Sequence, residues 1–244
     1  MKIVIRESSE VLSALIAERF INLIKSKPNC VLGLATGSSP IKTYQGIIKA
    51  YQEGEISFSN VHSYNLDEYL NFPRESDSYA YFMKENLFSH VDMNLANAHF
   101  PNPSDPEAYD ALIKQDPVDL QILGIGADGH IGFNEPGTSF DSKTHITPLT
   151  EQTIKDNARF FPSIDMVPTK AVTMGLSTIL KAKSIVLIAT GAGKVEAINA
   201  LLTKEDETCP ASILLRHNDV TLYLDKEAAK DILNKDIPGV TFDR

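Results

Sequence analysis

Short β-branched apolar runs alternate along this chain with longer segments whose apolar residues recur every three or four positions, and that alternation constrains the fold more than anything else in it. A brief, wholly apolar run suits a parallel strand buried on both faces, and a helical period between such runs suits the crossover that parallel strands require. Residues 3–5 read as the first strand, and Leu12, Leu15, Ile16, Phe20, Leu23 and Ile24 then form one face of a helix. Residues 31–35 read as the second strand, with Tyr44, Ile47, Ile48 and Tyr51 marking the helix after it. Further strands are expected at 61–65, 120–125 and 184–189, the last leading into a helix over 195–202. Residues 220–224 close the series, followed by a helix expected from 226 to about 233. The stretch 140–170 departs from the pattern, with several prolines and little periodicity, and reads as a long functional loop or a mobile lid containing a short helix. The expected fold is therefore α/β, a single domain over residues 1–244. It is a doubly wound, mostly parallel sheet with helices on both faces and a lid insertion at roughly 140–175.

Charge limits the partners. A net charge of -9 repels nucleic acid and anionic membrane surfaces, so an anionic ligand needs a local site. Met1 leads directly into the first strand and no apolar run approaches membrane-spanning length, which reads as a soluble, cytoplasmic protein. Cys30 and Cys209 lack metal or redox spacing and read as buried thiols.

Ligands of such sheets bind beyond the carboxyl ends of the strands, where strand order reverses. Four segments lie there. Residues 32–40 run from a strand through Thr36, Gly37, Ser38 and Ser39 to Pro40. Pro40 suits the first helical position and Ser38 or Ser39 the cap before it. Free N–H groups and hydroxyls at a helix start suit a phosphate, although an ordinary capped helix has the same signature; the spacing of a triphosphate-binding loop is missing. Residues 188–194 repeat the strand–glycine–helix pattern and end in Lys194, which could reach the same phosphate if the two strands are neighbours; a solvated lysine is the plain alternative. Asp67 and Glu68 follow a third strand among apolar and aromatic neighbours, where a carboxylate with a raised pKa would serve as a base, or where an acid would simply cap the next turn.

The fourth segment, 124–137, holds five glycines with Asp128, His130 and Glu135. Gly124, Gly126 and Gly129 satisfy G-x-G-x-x-G, but His130, Gly132, Asn134 and Pro136 leave no helix for a dinucleotide fingerprint. Asp128, His130 and Glu135 could ligate a metal, yet no second histidine stands nearby, so no metal is expected. The stronger reading is a histidine oriented by carboxylates for proton transfer, without a nucleophilic serine or cysteine. His62, His90, His99, His145 and His217 have no such context.

Taken together, residues 32–40, 65–69, 78–83, 124–137, 157–161 and 191–194 resemble the glucosamine-6-phosphate deaminase (isomerase) family over nearly the whole chain. The resemblance implies a modified Rossmann-like fold and conversion of glucosamine 6-phosphate and water to fructose 6-phosphate and ammonia, with no metal or organic cofactor. It implies that His130, held by Asp128 and Glu135, moves the proton that opens the sugar ring, and that Asp67 carries a proton from C2 to C1. It also places the phosphate against Thr36, Gly37, Ser38, Ser39 and Lys194, with Arg159 reaching in from the lid. Larger allosteric hexamers of this type carry an Arg and a Lys where this chain has His145 and Thr147, and extend further beyond Lys235, so a non-allosteric enzyme, a monomer rather than a hexamer, is expected. The rivals are a 6-phosphogluconolactonase-type hydrolase, which needs no carbon-proton base at Asp67, and a sugar-phosphate sensor, which calls for a DNA-binding domain that the chain lacks.

Overall fold

The apolar runs become strands and the periodic segments helices: β1 (Lys2–Arg6), α1 (Ser9–Ser26), β2 (Val31–Leu34), α2 (Ile41–Gln52), β3 (His62–Asn65), β4 (Asp67–Tyr69), α3 (Tyr79–Asn86), β5 (Ala98–His99), α4 (Pro106–Gln115) and β6 (Leu120–Leu123). There follow β7 (His145–Pro148), α5 (Glu151–Asn157), β8 (Lys170–Thr173), α6 (Leu176–Ile179), β9 (Ser184–Ala189), α7 (Val195–Thr203), β10 (Val220–Asp225) and β11 (Thr241–Asp243). The computed structural model describes residues 1–244. Local chemistry sets the helix starts. Ser8 accepts the N–H of Val11 ahead of α1, and Asp105 that of Ala108 ahead of α4, whose first turn holds Pro106. The buried stripe of α1, with Leu12, Ile16, Phe20 and Ile24 at four-residue spacing, faces the sheet.

Eight strands form one sheet in the order β11-β1-β10-β9-β6-β2-β3-β5, every adjacent pair parallel. The chain runs outward from β2 to β3 and β5, then returns to β6 on the other flank of β2, so strand order reverses between β2 and β6. α1 and α2 pack against each other, and one continuous apolar core joins the helices to the sheet. At the amino end of the reversal, the buried carboxylate of Asp119 accepts the N–H of Val31 at 2.8 Å and binds both Lys27 and Lys183 at 2.7 Å. Burial pushes that carboxyl up, but its hydrogen bonds from Lys183, Lys27 and Val31 outweigh this and hold it below the usual aspartate range. No helix is long and apolar enough to cross a membrane.

Three expectations need correction. The stretch 140–170, expected as a long loop or a lid with a short helix, does hold the short helix α5 but is not otherwise irregular. With the residues up to Thr173 it contributes β7 and β8 to a second, antiparallel sheet of order β4-β8-β7, in which Asp67, Thr173 and His145 stand in register. β7 is mostly exposed and ends in Pro148, and α5 separates it from β8, so neither a hairpin signal nor an apolar run marks the pair. The helix expected over 226–233 is a chain of turns. The Asp225 carboxylate takes the N–H of Ala228, and i→i−3 bonds such as Ile232 to Ala229 replace most of the helical ones. β10 does not close the series either, because the short, half-exposed β11 pairs with β1.

Both roots of the inserted segment are tied to one side chain on α4. The buried Asp110 accepts the N–H of Thr144 at 2.9 Å and also the hydroxyl of Thr178.

Candidate active site

The loops after β2, β6 and β9, together with β4 and α5, enclose a cavity of about 630 Å³ at the carboxyl end of the large sheet. Its position at the strand-order reversal is the one the topology favours for a ligand. Thr36, Gly37, Ser38, Ser39, Asp67, His130, Arg159 and Lys194 all line it.

The two acids after β3 have separate tasks. Glu68 turns to the start of α3 and accepts the N–H groups of Tyr69 and Tyr79 at 2.8 Å and of Ala80 at 3.0 Å, so it is the helix-capping acid. Asp67 faces the cavity, is 6% exposed, and receives no hydrogen bond of 3.5 Å or less from the protein. Burial, with a smaller contribution from the Glu68 charge, pushes its carboxyl up to about 8. Beside it an apolar wall is built from Tyr79 and Phe133, whose rings stack 5.9 Å apart, and from Tyr69, which meets Phe133 and the Phe161 edge.

Asp128 and His130 form the second cluster. The imidazole Nδ1 lies 2.7 Å from Asp128 Oδ1 and 3.7 Å from Glu135 Oε2. A donated Nδ1–H toward the carboxylate leaves Nε2 as the acceptor of the neutral ring. The bond from His130 holds the Asp128 carboxyl below its usual range. Glu135 is buried, and its other oxygen is held from the inserted segment: Oε1 accepts the Thr153 hydroxyl at 2.6 Å and the Thr150 N–H at 3.3 Å, where Thr150 caps α5. Asn134, fully buried, donates to the carbonyls of Ile131 and Met174 and fixes this loop against the end of β8.

The glycines of the loop make room for the site's own groups. A Cβ on Gly126 would stand 2.2 Å from His130 Nδ1, so only glycine lets the imidazole fold back over the turn. Gly132, at φ +57°, packs between Thr173 and Asp67, where a Cβ would come within 3.0 Å of Thr173 Oγ1 and 3.4 Å of Asp67 Oδ2.

The β2 loop departs from its expected form. α2 begins at Ile41, Pro40 occupies the cap position, and neither Ser38 nor Ser39 caps the helix. Their hydroxyls stay with the cavity, where Ser38 Oγ lies 3.5 Å from an Arg159 nitrogen. β9 is not the neighbour of β2, because β6 stands between them, yet Lys194 still reaches the shared cavity. Burial pulls the Lys194 ammonium below the usual lysine range. Its loop is set by Asp225, whose carboxylate accepts the Gly191 N–H at 2.9 and 3.0 Å. Cys30 and Cys209 are free and buried, as their spacing suggests. Sequence reasoning passes over Thr150 and Thr153; a T-x-x-T cap ahead of α5 was the available signal.

Asp128, His130 and Glu135 place one potential ligand atom each within 4.8 Å of one another. The imidazole nitrogen facing both acids is already engaged by Asp128, which suits a proton-transfer group better than an open metal centre.

Known proteins are similar to this chain over nearly its whole length. A glucosamine-6-phosphate deaminase of Mycoplasma mycoides subsp. mycoides is 52% identical over 240 residues, covering 96% of this chain and 98% of its own. One of Thermoanaerobacter sp. is 48% identical, covering 98% of each. A solved structure described as a monomeric glucosamine-6-phosphate deaminase superposes with a TM-score of 0.90 at 45% identity, covering 94% of this chain and 99% of that one. A 6-phosphogluconolactonase from Trypanosoma brucei shares the fold at 20% identity and a TM-score of 0.72, covering 95% and 98%. The profile described as glucosamine-6-phosphate isomerases/6-phosphogluconolactonase matches residues 6–223, and with the doubly wound sheet and the loops at its reversal point this makes the chain a member of that family.

Proposed function

We propose that this protein is a glucosamine-6-phosphate deaminase, converting glucosamine 6-phosphate and water to fructose 6-phosphate and ammonia. The observation that carries the reading is Asp67: a buried carboxylate without a protein partner, opening into the same cavity as a carboxylate-held histidine. A lactone hydrolysis would leave such a base without a task.

In this reading the phosphate lies against Thr36, Gly37, Ser38 and Ser39, with Lys194 and Arg159 supplying the charge that an acidic protein otherwise withholds. His130, oriented by Asp128 and Glu135, transfers the proton that opens the pyranose ring. Asp67 then removes the proton from C2 of the open-chain aldose as the 2-ammonium group passes a proton to O1, giving an enolamine, and returns the C2 proton to C1. The product is a ketose imine at C2, and water adds there to release ammonia. One carboxylate over one face serves both transfers, and its raised pKa keeps the protonated form accessible between them. Within the lid segment of about 140–175, the arm that carries Arg159 lies over the phosphate loop.

We infer further that the enzyme is a non-allosteric monomer. His145 Nδ1 faces the Lys143 carbonyl and the Thr147 hydroxyl donates to that of Pro148, so neither places a fixed cation there for an anionic effector. The 45% identical solved structure is described as monomeric. Sigmoidal substrate kinetics relieved by N-acetylglucosamine 6-phosphate would overturn this part.

The test of the activity is incubation with glucosamine 6-phosphate in deuterated water. Ammonia should appear, with deuterium at C1 of the fructose 6-phosphate to the extent that the proton held on Asp67 exchanges with solvent before its return. Absence of both removes the deaminase reading, and turnover of 6-phosphogluconolactone alone replaces it.

A further inference from the structure

In a parallel sheet the N–H and C=O of one residue point toward the same neighbour, and successive residues alternate sides. Along β2, Val31 C=O accepts from Asp119 on the β6 side, and Leu34 C=O accepts from Leu66 on the β3 side. Ala35, the next residue, therefore turns both of its polar groups toward β6. The β2–β6 ladder has already ended, its register running only from Leu32 to Gly33, because the two strands part to open the cavity. Ala35 is 5% exposed, so water is no adequate substitute and both groups need a protein partner.

One hydroxyl supplies both. Tyr44 on α2, fully buried, donates to the Ala35 carbonyl at 2.6 Å and accepts the Ala35 N–H at 3.1 Å. The backbone N–H of the same residue donates to Pro40 C=O at 3.0 Å. Thr36, Gly37, Ser38 and Ser39 are thus the four residues enclosed between the two attachments of a single tyrosine, one at each end of the loop. Neither serine is used as a helix cap, so within the loop little else fixes its curvature.

We propose that Tyr44 is a positioning residue for the phosphate loop, its hydroxyl standing in for the missing strand neighbour at the point where the sheet opens. It touches no substrate; it sets where the loop's hydroxyls and N–H groups stand. The inference rests on the phosphate assignment made above, and the experiment separates the two.

Inorganic phosphate is titrated as an inhibitor of glucosamine 6-phosphate turnover with the wild-type protein, Lys194→Met and Tyr44→Phe. Tyr44→Phe should raise the phosphate inhibition constant and KM together by about five- to tenfold and leave kcat within about twofold. A residue that merely supported the fold would lower the unfolding midpoint without moving the phosphate constant. If wild-type inhibition is not competitive, or Lys194→Met leaves it unchanged, the phosphate site itself is misassigned and the Tyr44 proposal falls with it. If Lys194→Met weakens phosphate and Tyr44→Phe retains wild-type constants, Tyr44 alone is misassigned. Should Tyr44→Phe not fold, amide exchange on the wild-type protein decides: the Ala35 N–H should be strongly protected without ligand, and exchange as fast as at Ser39 overturns the proposal.

Discussion

Asp119 and Asp67 are both buried aspartates beside the strand-order reversal, at opposite ends of it, and they are treated in opposite ways. Asp119 accepts a backbone N–H and two lysine ammoniums, and its carboxyl is held below the ordinary range. Asp67 receives no such bond, and burial pushes it up to about 8. A carboxylate whose partners are supplied by the protein contributes to the fold. One left without partners is a cost to the fold and is ready for a proton on a ligand. The amino edge of the large sheet is thus satisfied, while its carboxyl edge and the small sheet beside it are left open to chemistry.

The largest test of this contrast is Asp67→Asn. Turnover should fall by about 10^4-fold while the affinity for inorganic phosphate is kept, and the variant should be more stable than the wild type by a few kcal/mol at alkaline pH. The sign follows from the raised folded value. Stability linked to Asp67 is fully present below the unfolded pKa near 3.8 and is lost as pH rises through about 8, a loss that asparagine avoids. Urea unfolding at several pH values measures the gap, which should widen with pH; a variant that is less stable at pH 9 breaks the contrast. The ionised base is also the active one, so kcat/KM should rise toward about pH 8 on this limb.

Asp128→Asn comes next, with an expected loss in kcat of about 10^2-fold, because the amide no longer fixes the imidazole with Nδ1 protonated. Unchanged turnover would show that Glu135 alone orients His130. For Asp119→Ala the effect should fall on the other side of the contrast. The expected loss is about 1–3 kcal/mol of stability at neutral pH, with kcat/KM unaltered in the folded protein. Since the Asp119 pKa is lowered, its contribution is present above the unfolded value and lost as pH falls through the folded one, so variant and wild-type unfolding midpoints should converge in acid. The smallest change expected is Thr153→Val, about tenfold in kcat with KM nearly constant, because Glu135 loses its shortest hydrogen bond and not its charge. A change in KM alone would instead assign Thr153 to substrate binding.

The parallel sheet was legible because each of its central strands is apolar on both faces and each crossover helix carries a continuous buried stripe, as in Leu12, Ile16, Phe20 and Ile24. The second sheet was not. β4 has three residues, β7 is mostly exposed, and β8 pairs with partners about 25 and 100 positions earlier, so the ladder exists only through tertiary packing. Asp67, Asp128, His130 and Glu135 stood out as chemical types beyond strand ends, but the partition of tasks between Asp67 and Glu68 did not. It depends on the start of α3, whose N–H groups take Glu68 away from the cavity. Likewise Ser38 and Ser39 matched a capping pattern that Pro40 in fact displaces.

The antiparallel ladder also decides how much of the inserted segment can travel. Its two strands are hydrogen-bonded, one through the other, to the short strand that carries Asp67, and Asp110 pins Thr144 on one root and Thr178 on the other. A hinge therefore has no place at residues 140 or 175. The pairing runs on past Pro148 and Lys170, with the Leu149 N–H on the Thr169 carbonyl at 2.9 Å, so only the arm beyond it, with Arg159 in its middle and Thr150 and Thr153 near its base, lies outside the ladder. Swinging that arm would move Arg159 and loosen Glu135 in one stroke while the anchor of Asp67 stays still.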